Sequence, residues 1–371
     1  MSSSPTSQKS SLDDDSEIHE NTPLKCPDLW LNDGNIVIRA THIDNSSVVL
    51  YRIHKSVLAM HSYFFRETFY DHASVLDNSS ERVEGTPVLD MVGDSMEDVD
   101  AFLKTLYYPE FTAPLDRSAS KSNFPATCAG QLRLSTKYIV TKLRNLIVSQ
   151  FHDEYPCILD AWCQKENERK AACDSGLTMA SVYPDPVLTI SLAMNHEMHE
   201  ILPIAFYDLT RTYNSPSITQ GLHDDTALTM ADTRRVVRGN AALTNALLSA
   251  VRAPFRYQTV PACALLREDG WGDRCSDAVD DPWTWACKSR LEEWWMHHFA
   301  QTYPEQSSDP FGWLAGAAEA AMPEDICAPC GSFMRSVIES LRESLWFKLP
   351  EFFDLTDDLH RWGFDPYPEP A

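Results

Sequence analysis

The residues best equipped for chemistry lie late in the chain, at Cys327-Ala328-Pro329-Cys330, the single CxxC of the sequence. Two thiolates at that spacing can share one tetrahedral zinc ion, which then needs two further ligands. Cys263, Cys275, Cys287, His297 and His298 are the candidates. No second short-spaced pair accompanies the first, so the plainer reading is two packed thiols at the mouth of a helix over Ser332 to Leu345. On that reading no metal is assigned, and Cys327 and Cys330 stand as the zinc alternative. No βαβ pattern surrounds the pair, which argues against a redox role.

The second chemically suggestive run is His196-Glu197-Met198-His199-Glu200. The zinc-protease helix needs two histidines four apart with Glu directly after the first. Here the second histidine comes three residues later, so the motif fails and the run reads as a polar helix face beside Leu192 and Ile201. Neither GxxxxGK[ST] nor GxGxxG occurs, and 13 glycines leave little backbone able to approach a phosphate. GxSxG is absent too, and no Ser or Cys stands in a recognisable nucleophile context. The reading is therefore of a chain without catalytic or cofactor-binding residues.

The elements that carry information lie near the start. Asp33-Gly34-Asn35 is a turn signal, Ile36-Val37-Ile38 is β-branched, and Asn45-Ser46-Ser47 punctuates before Val48-Val49-Leu50-Tyr51, which together predict a hairpin. The apolar period then becomes helical. Val57, Leu58 and His61 share one face, and Phe64, Phe65, Thr68 and Phe69 repeat the spacing after Ser62, a capping residue.

This segment resembles the core of a BTB domain. The carrying residues are Asn35-Ile36-Val37-Ile38, His54-Lys55, Val57-Leu58 and Ser62-Tyr63-Phe64-Phe65. Pro87 to Met91 follow as the next strand, Phe102-Leu103, Leu106 and Tyr107-Tyr108 as a helix ending in Tyr, and Leu132, Leu134, Lys137-Tyr138 and Leu143-Arg144 as a closing helical hairpin. Ala73 to Thr86 and Glu110 to Thr127 read as enlarged surface loops. Such interruptions resemble those of BTB proteins from mushroom-forming fungi.

The resemblance implies an interaction module in which the first strand and following helix form a two-fold dimer interface, with Tyr63, Phe64 and Phe69 as apolar area or, alternatively, as domain core. Dimeric relatives pair a buried Asp with an Arg just before the His-Lys pair. Arg52 matches the Arg, whereas the Asp position holds Asn35, with Asp33 two residues earlier. It also implies a second activity, that of a substrate adaptor docking a cullin scaffold. Adaptors carry a hydrophobic-x-Glu after the third strand, where this chain has Val99-Asp100-Ala101, and Tyr107 and Tyr108 would then contribute. The interaction residues so implied are Asn35, Arg52, His54, Tyr63, Phe64, Tyr107 and Tyr108.

Composition bounds the rest. With 371 residues and 43% hydrophobic content the chain can bury a large core. Residues 1–23 are Ser-rich with Asp13-Asp14-Asp15 and read as a flexible acidic tail. A net charge of −23 opposes phosphate-backbone binding, so nucleic acid is excluded as a partner. Nothing reads as a signal peptide or an apolar span, so no membrane association is expected, and ten cysteines read as reduced thiols of the cytoplasm or nucleus.

Beyond residue 156 the pattern is helical. Ile158 to Lys170, a helix starting at Asp185-Pro186 and broken at Leu202-Pro203, one from Ala205, and Ala227 to Arg252 are expected. Trp271, Trp283, Trp285, Trp294, Trp295, Trp313, Trp346 and Trp362 read chiefly as core. The expectation is thus an α+β chain: a BTB fold, a small mixed sheet flanked by helices, over 24–155, then an all-α region over 156–371. Its function would be non-enzymatic association with itself or another protein.

Overall fold

The computed structural model describes residues 23–41, 47–71, 81–108, 124–212, 228–252, 287–306 and 309–355. They fall into two compact units, one within 1–112 and 134–141, the other within 113–133 and 142–371. The tail over 1–22 and Cys263, Cys275, Trp271, Trp283, Trp285 and Trp362 lie outside the described residues.

The first unit is built on a five-stranded mixed sheet in the order β1-β3-β2-β5-β4. The strands are β1 (Leu24–Trp30), β2 (Ile36–Thr41), β3 (Val48–Ile53), β4 (Arg82–Val83) and β5 (Thr86–Asp90). The expected hairpin forms: β2 and β3 are antiparallel, with Ile36 opposite Ile53 and Ile38 opposite Tyr51. β1 and β5 flank them in parallel. Alternation sorts the central strands into two faces. Ile36, Ile38, Ala40, Tyr51 and Ile53 are buried on one, while Val37, Leu50 and Val88 cluster on the other with Trp30, Val48 and Val83 against them. Arg39 covers that second face, bridging Asp90 and Glu81.

Two strands depart from expectation. β1 was hidden because it buries only Cys26 and Leu29, three residues apart where a strand repeats every two, and contains Pro27. Its register with β3 is also irregular between Lys25 and Trp30. The stretch read as an enlarged loop from Ala73 contains β4, which turns into β5 through Glu84 and Gly85, both with positive φ (49° and 80°). That pair of left-handed residues is what a two-residue hairpin needs.

Helices α1 (Lys55–His61) and α2 (Tyr63–Arg66) follow, the latter continuing as a π-helical turn, Glu67–Asp71, and α3 (Met96–Tyr107) packs on α1 and β2. Ser62 caps α2 as the sequence implies: its Oγ accepts the Phe65 N–H at 3.0 Å and donates to the Tyr138 carbonyl at 2.5 Å. Tyr138 follows helix α4 (Phe124–Lys137), whose residues from Leu134 on belong to this unit. Its ring stacks on Phe65, and its hydroxyl donates to buried Asp94, which Lys137 also reaches at 2.7 Å.

In the second unit, α5 (Thr141–Glu154), α6 (Leu159–Asp174), α7 (Met179–Val182), α8 (Pro186–Asn195), α9 (Leu202–Thr212), α10 (Met230–Arg252), α11 (Lys288–Gln306), α12 (Pro310–Glu319), α13 (Ala328–Phe347) and α14 (Leu349–Phe352) follow, with no strand among the described residues. Asp185 caps α8 and Pro186 occupies its first turn, as read. Leu202-Pro203 does not break that helix; α8 has already ended at Asn195 and the pair opens α9. Trp295, Trp313 and Trp346 are fully buried, and each indole N–H finds an oxygen: the Val251 carbonyl, the Thr302 hydroxyl and the Cys157 carbonyl. Gly239 of α10 lies flat against Phe353, whose ring carbon would come within 2.1 Å of any Cβ there.

Candidate protein-interaction surface

Four of the sequence-implied residues meet at the start of α1. Asn35 Oδ1 accepts the Lys55 N–H at 2.8 Å, capping the helix, and the Tyr107 hydroxyl accepts the His54 N–H at 2.7 Å. His54 Nε2 lies 3.2 Å from Asp33, whose carboxyl is held below the usual range by that hydrogen bond. Burial pushes the Tyr107 phenol up. Arg52 donates to the Gly34 carbonyl at 3.0 Å and lies 3.7 Å from Glu84. Gly34 is needed there, since a Cβ would stand 2.9 Å from Arg52. Asn35, Arg52, His54 and Tyr107 therefore commit polar groups to building the module. Tyr108 does likewise, donating to the Asp28 carbonyl of β1 at 2.8 Å.

Tyr63 and Phe64 behave differently, being 50% and 39% exposed. Met60 (73%), near the end of α1, and Tyr70 (59%), in the π-helical turn, are exposed as well, on either side of α2 in the chain. The sequence reading missed Met60 and Tyr70, because the extended residue Ser62 and the π-helical turn break the helical period that would relate them to Tyr63. Phe69 instead belongs to the core, buried and stacked on Phe65. Phe64 is anchored on its inner side, edge-on to Phe65 and Tyr138. Phe64 is thus an exposed ring on a packed base, and large apolar side chains left exposed in one short segment make a candidate contact site. Val99, at the adaptor position, is buried, and Asp100 pairs with Lys104 at 2.9 Å. A groove of about 540 Å³ beside β1, between Leu24, Tyr51 and Met96, is also lined by Cys26, whose thiol donates to Asp100 at 3.7 Å and has its pKa pushed up by burial, away from the reactive thiolate.

The second unit contains a buried ion-pair network. Arg169, wholly buried, reaches Glu166 at 2.9 Å, Glu154 at 3.3 Å and Asp208 at 3.7 Å. Arg211 pairs with Glu166, Asp208 and Asp309, and Tyr207 donates to Asp309. Every carboxylate faces a guanidinium, so the assembly ties α5, α6, α9 and the start of α12 together. His196-Glu197-Met198-His199-Glu200 is no polar helix face: His196 ends α8, Glu197 has φ of 60°, Met198 is buried, and a 3₁₀ turn starts at His199. The zinc candidates His297 and His298 are placed apart from the CxxC thiols, His298 stacking on Trp294 and Trp313.

A small mixed sheet followed by a capped helix pair is the frame of the first unit. Residues 44–151 match the family model described as BTB/POZ domain, and the chain carries that domain, a protein–protein interaction module. The match begins after β2 and ends within α5, so β1 and β2 precede it. No curated protein and no solved structure matches the chain. No described helix is long and apolar enough to cross a membrane.

Proposed function

We propose that the chain acts without catalysis, by associating through the exposed Met60, Tyr63, Phe64 and Tyr70 of its BTB domain, and that a second copy of the chain is the partner. The observation behind this reading is the exposure of four large apolar side chains within residues 60–70, beside the buried Phe65 and Phe69. Full burial of an exposed side chain contributes roughly 1.5–3 kcal/mol, and since these are only 39–73% exposed, covering what remains would contribute about 3–7 in all. Association costs about 4–15 kcal/mol in lost freedom, so self-association should be dependent on concentration. The reduced thiols fit the cytoplasm or nucleus.

Light scattering of the full chain across a concentration series tests it. A mass rising to that of a dimer, and held at the monomer by Phe64→Glu, is the expected result. A monomer at every concentration refutes self-association and leaves the adaptor of a cullin-type ubiquitin ligase as the reading to pursue, by co-purification with a cullin and its loss on changing Tyr107 and Tyr108.

A further inference from the structure

Three cysteines far apart in sequence meet in the second unit. The sulfurs of Cys287, Cys327 and Cys330 all lie within 4.8 Å of one another. Cys287 precedes α11 directly, its carbonyl accepting the Leu291 N–H at 2.9 Å. Cys327 is the N-cap residue of α13, and Cys330 lies three residues on, within the first turn. Two helix starts thus bring three sulfurs to one point.

The spacing fits a metal. With metal–sulfur bonds of about 2.3 Å, the edge of a tetrahedron of thiolates is about 3.8 Å. Cys287 Sγ and Cys327 Sγ stand 3.8 Å apart. The two are not bonded, a disulfide needing about 2.05 Å; they stand in thiol hydrogen-bond contact, and a third sulfur within 4.8 Å of both completes a trio that one ion could reach. Cys287 and Cys330 are buried and Cys327 is part-exposed, giving the cluster one side open to an entering ion. The surrounding chain is fixed as well. Arg290, one turn into α11, bonds the Asp325 carbonyl at 3.1 Å and its carboxylate at 3.0 Å, tying the segment before Cys327 to the helix after Cys287.

We propose that Cys287, Cys327 and Cys330 form a three-thiolate site for a zinc ion, with the fourth position taken by water or another donor. Soft, anionic sulfur in tetrahedral array selects such a cation over calcium or magnesium. Binding displaces up to three thiol protons and leaves three sulfur–metal bonds, with no change of oxidation state, so affinity falls as pH falls. Its role is structural: the ion clamps the start of α11 to the start of α13.

The test is a titration of the metal-stripped, reduced full chain with cobalt(II), which reports geometry and thiolate ligation by absorption. Saturation at one equivalent, with the visible bands of tetrahedral cobalt, a thiolate charge-transfer band and displacement by zinc, is expected. Cys327→Ser, at the part-exposed position, should lose about a third of the charge-transfer intensity and weaken cobalt binding more than tenfold. Cys173→Ser should change neither. Absence of tetrahedral bands in the unmodified chain, or their persistence at full intensity in folded Cys327→Ser, overturns the proposal. So does a Cys287–Cys327 disulfide found by mass spectrometry in freshly isolated, metal-free protein.

Discussion

Replacing Ser62 by Ala removes two hydrogen bonds from one buried atom: the cap on the Phe65 N–H at 3.0 Å and the donation to the Tyr138 carbonyl at 2.5 Å. Losing an N-cap side chain costs about 0.5–2 kcal/mol, and losing a further hydrogen bond about 0.5–1.5. Ser62 is 1% exposed, so water does not readily replace either bond, and the sum of about 1–3.5 kcal/mol should be felt. A loss near 2 kcal/mol raises the population of locally opened molecules roughly 30-fold. Hydrogen exchange of the full chain, resolved by mass spectrometry, should show that acceleration in peptides spanning 62–71 and around Tyr138. The α10 peptides serve as an internal reference. If exchange over 62–71 changes by less than threefold while the chain remains folded, Ser62 does not hold α2 in the way described.

In α10, Gly239→Ala should destabilise the second unit by about 1–3 kcal/mol despite the better helix propensity of Ala, because the new Cβ overlaps buried Phe353; urea unfolding followed by tryptophan fluorescence reads it. Arg169→Met leaves Glu154, Glu166 and Asp208 without their shared cation and should cost about 3–5 kcal/mol in the same assay, an unchanged midpoint disproving the network's role. Burial lowers the pKa of His152, His196 and His298 below their unfolded value of about 6.5. Their contribution is therefore present above pH 6.5 or so and lost as pH falls toward the folded values, so the thermal midpoint should drop on acidification through that window. A midpoint independent of pH between about 7 and 5 would contradict this.

Where local pattern decides structure, the sequence was legible. The β-branched runs of β2 and β3, the switch to helical period at Val57, the Ser62 cap and the Asp185-Pro186 start each need only neighbours in the chain. β1 was illegible because an edge strand with Pro27 and burial at every third position shows no alternation. His196 to Glu200 misled because a left-handed residue, Glu197, ends a helix that composition alone would continue. The exposed aromatic residues were half legible. Tyr63 and Phe64 stood out within the motif, but whether a ring faces water depends on what packs behind it, as the buried Phe69 shows. Least readable was Arg169, since its partners come from distant helices and its own helix has no apolar stripe to announce burial; Cys287, Cys327 and Cys330 all stood out in the sequence as possible ligands, and only their meeting needed the fold.

The latch of Tyr138 and Lys137 onto Asp94 sets an order of events during synthesis. A ribosome releases the sheet, α1, α2 and α3 first, yet the residues that close over Asp94 and Ser62 arrive only after 113–133 have been made. Until then a carboxylate destined to be 5% exposed waits without its lysine and tyrosine donors. Any truncation placed between residues 108 and 134 would freeze the domain at that stage. A nascent chain stalled there should accordingly be more open to proteolysis than one extended past Thr141.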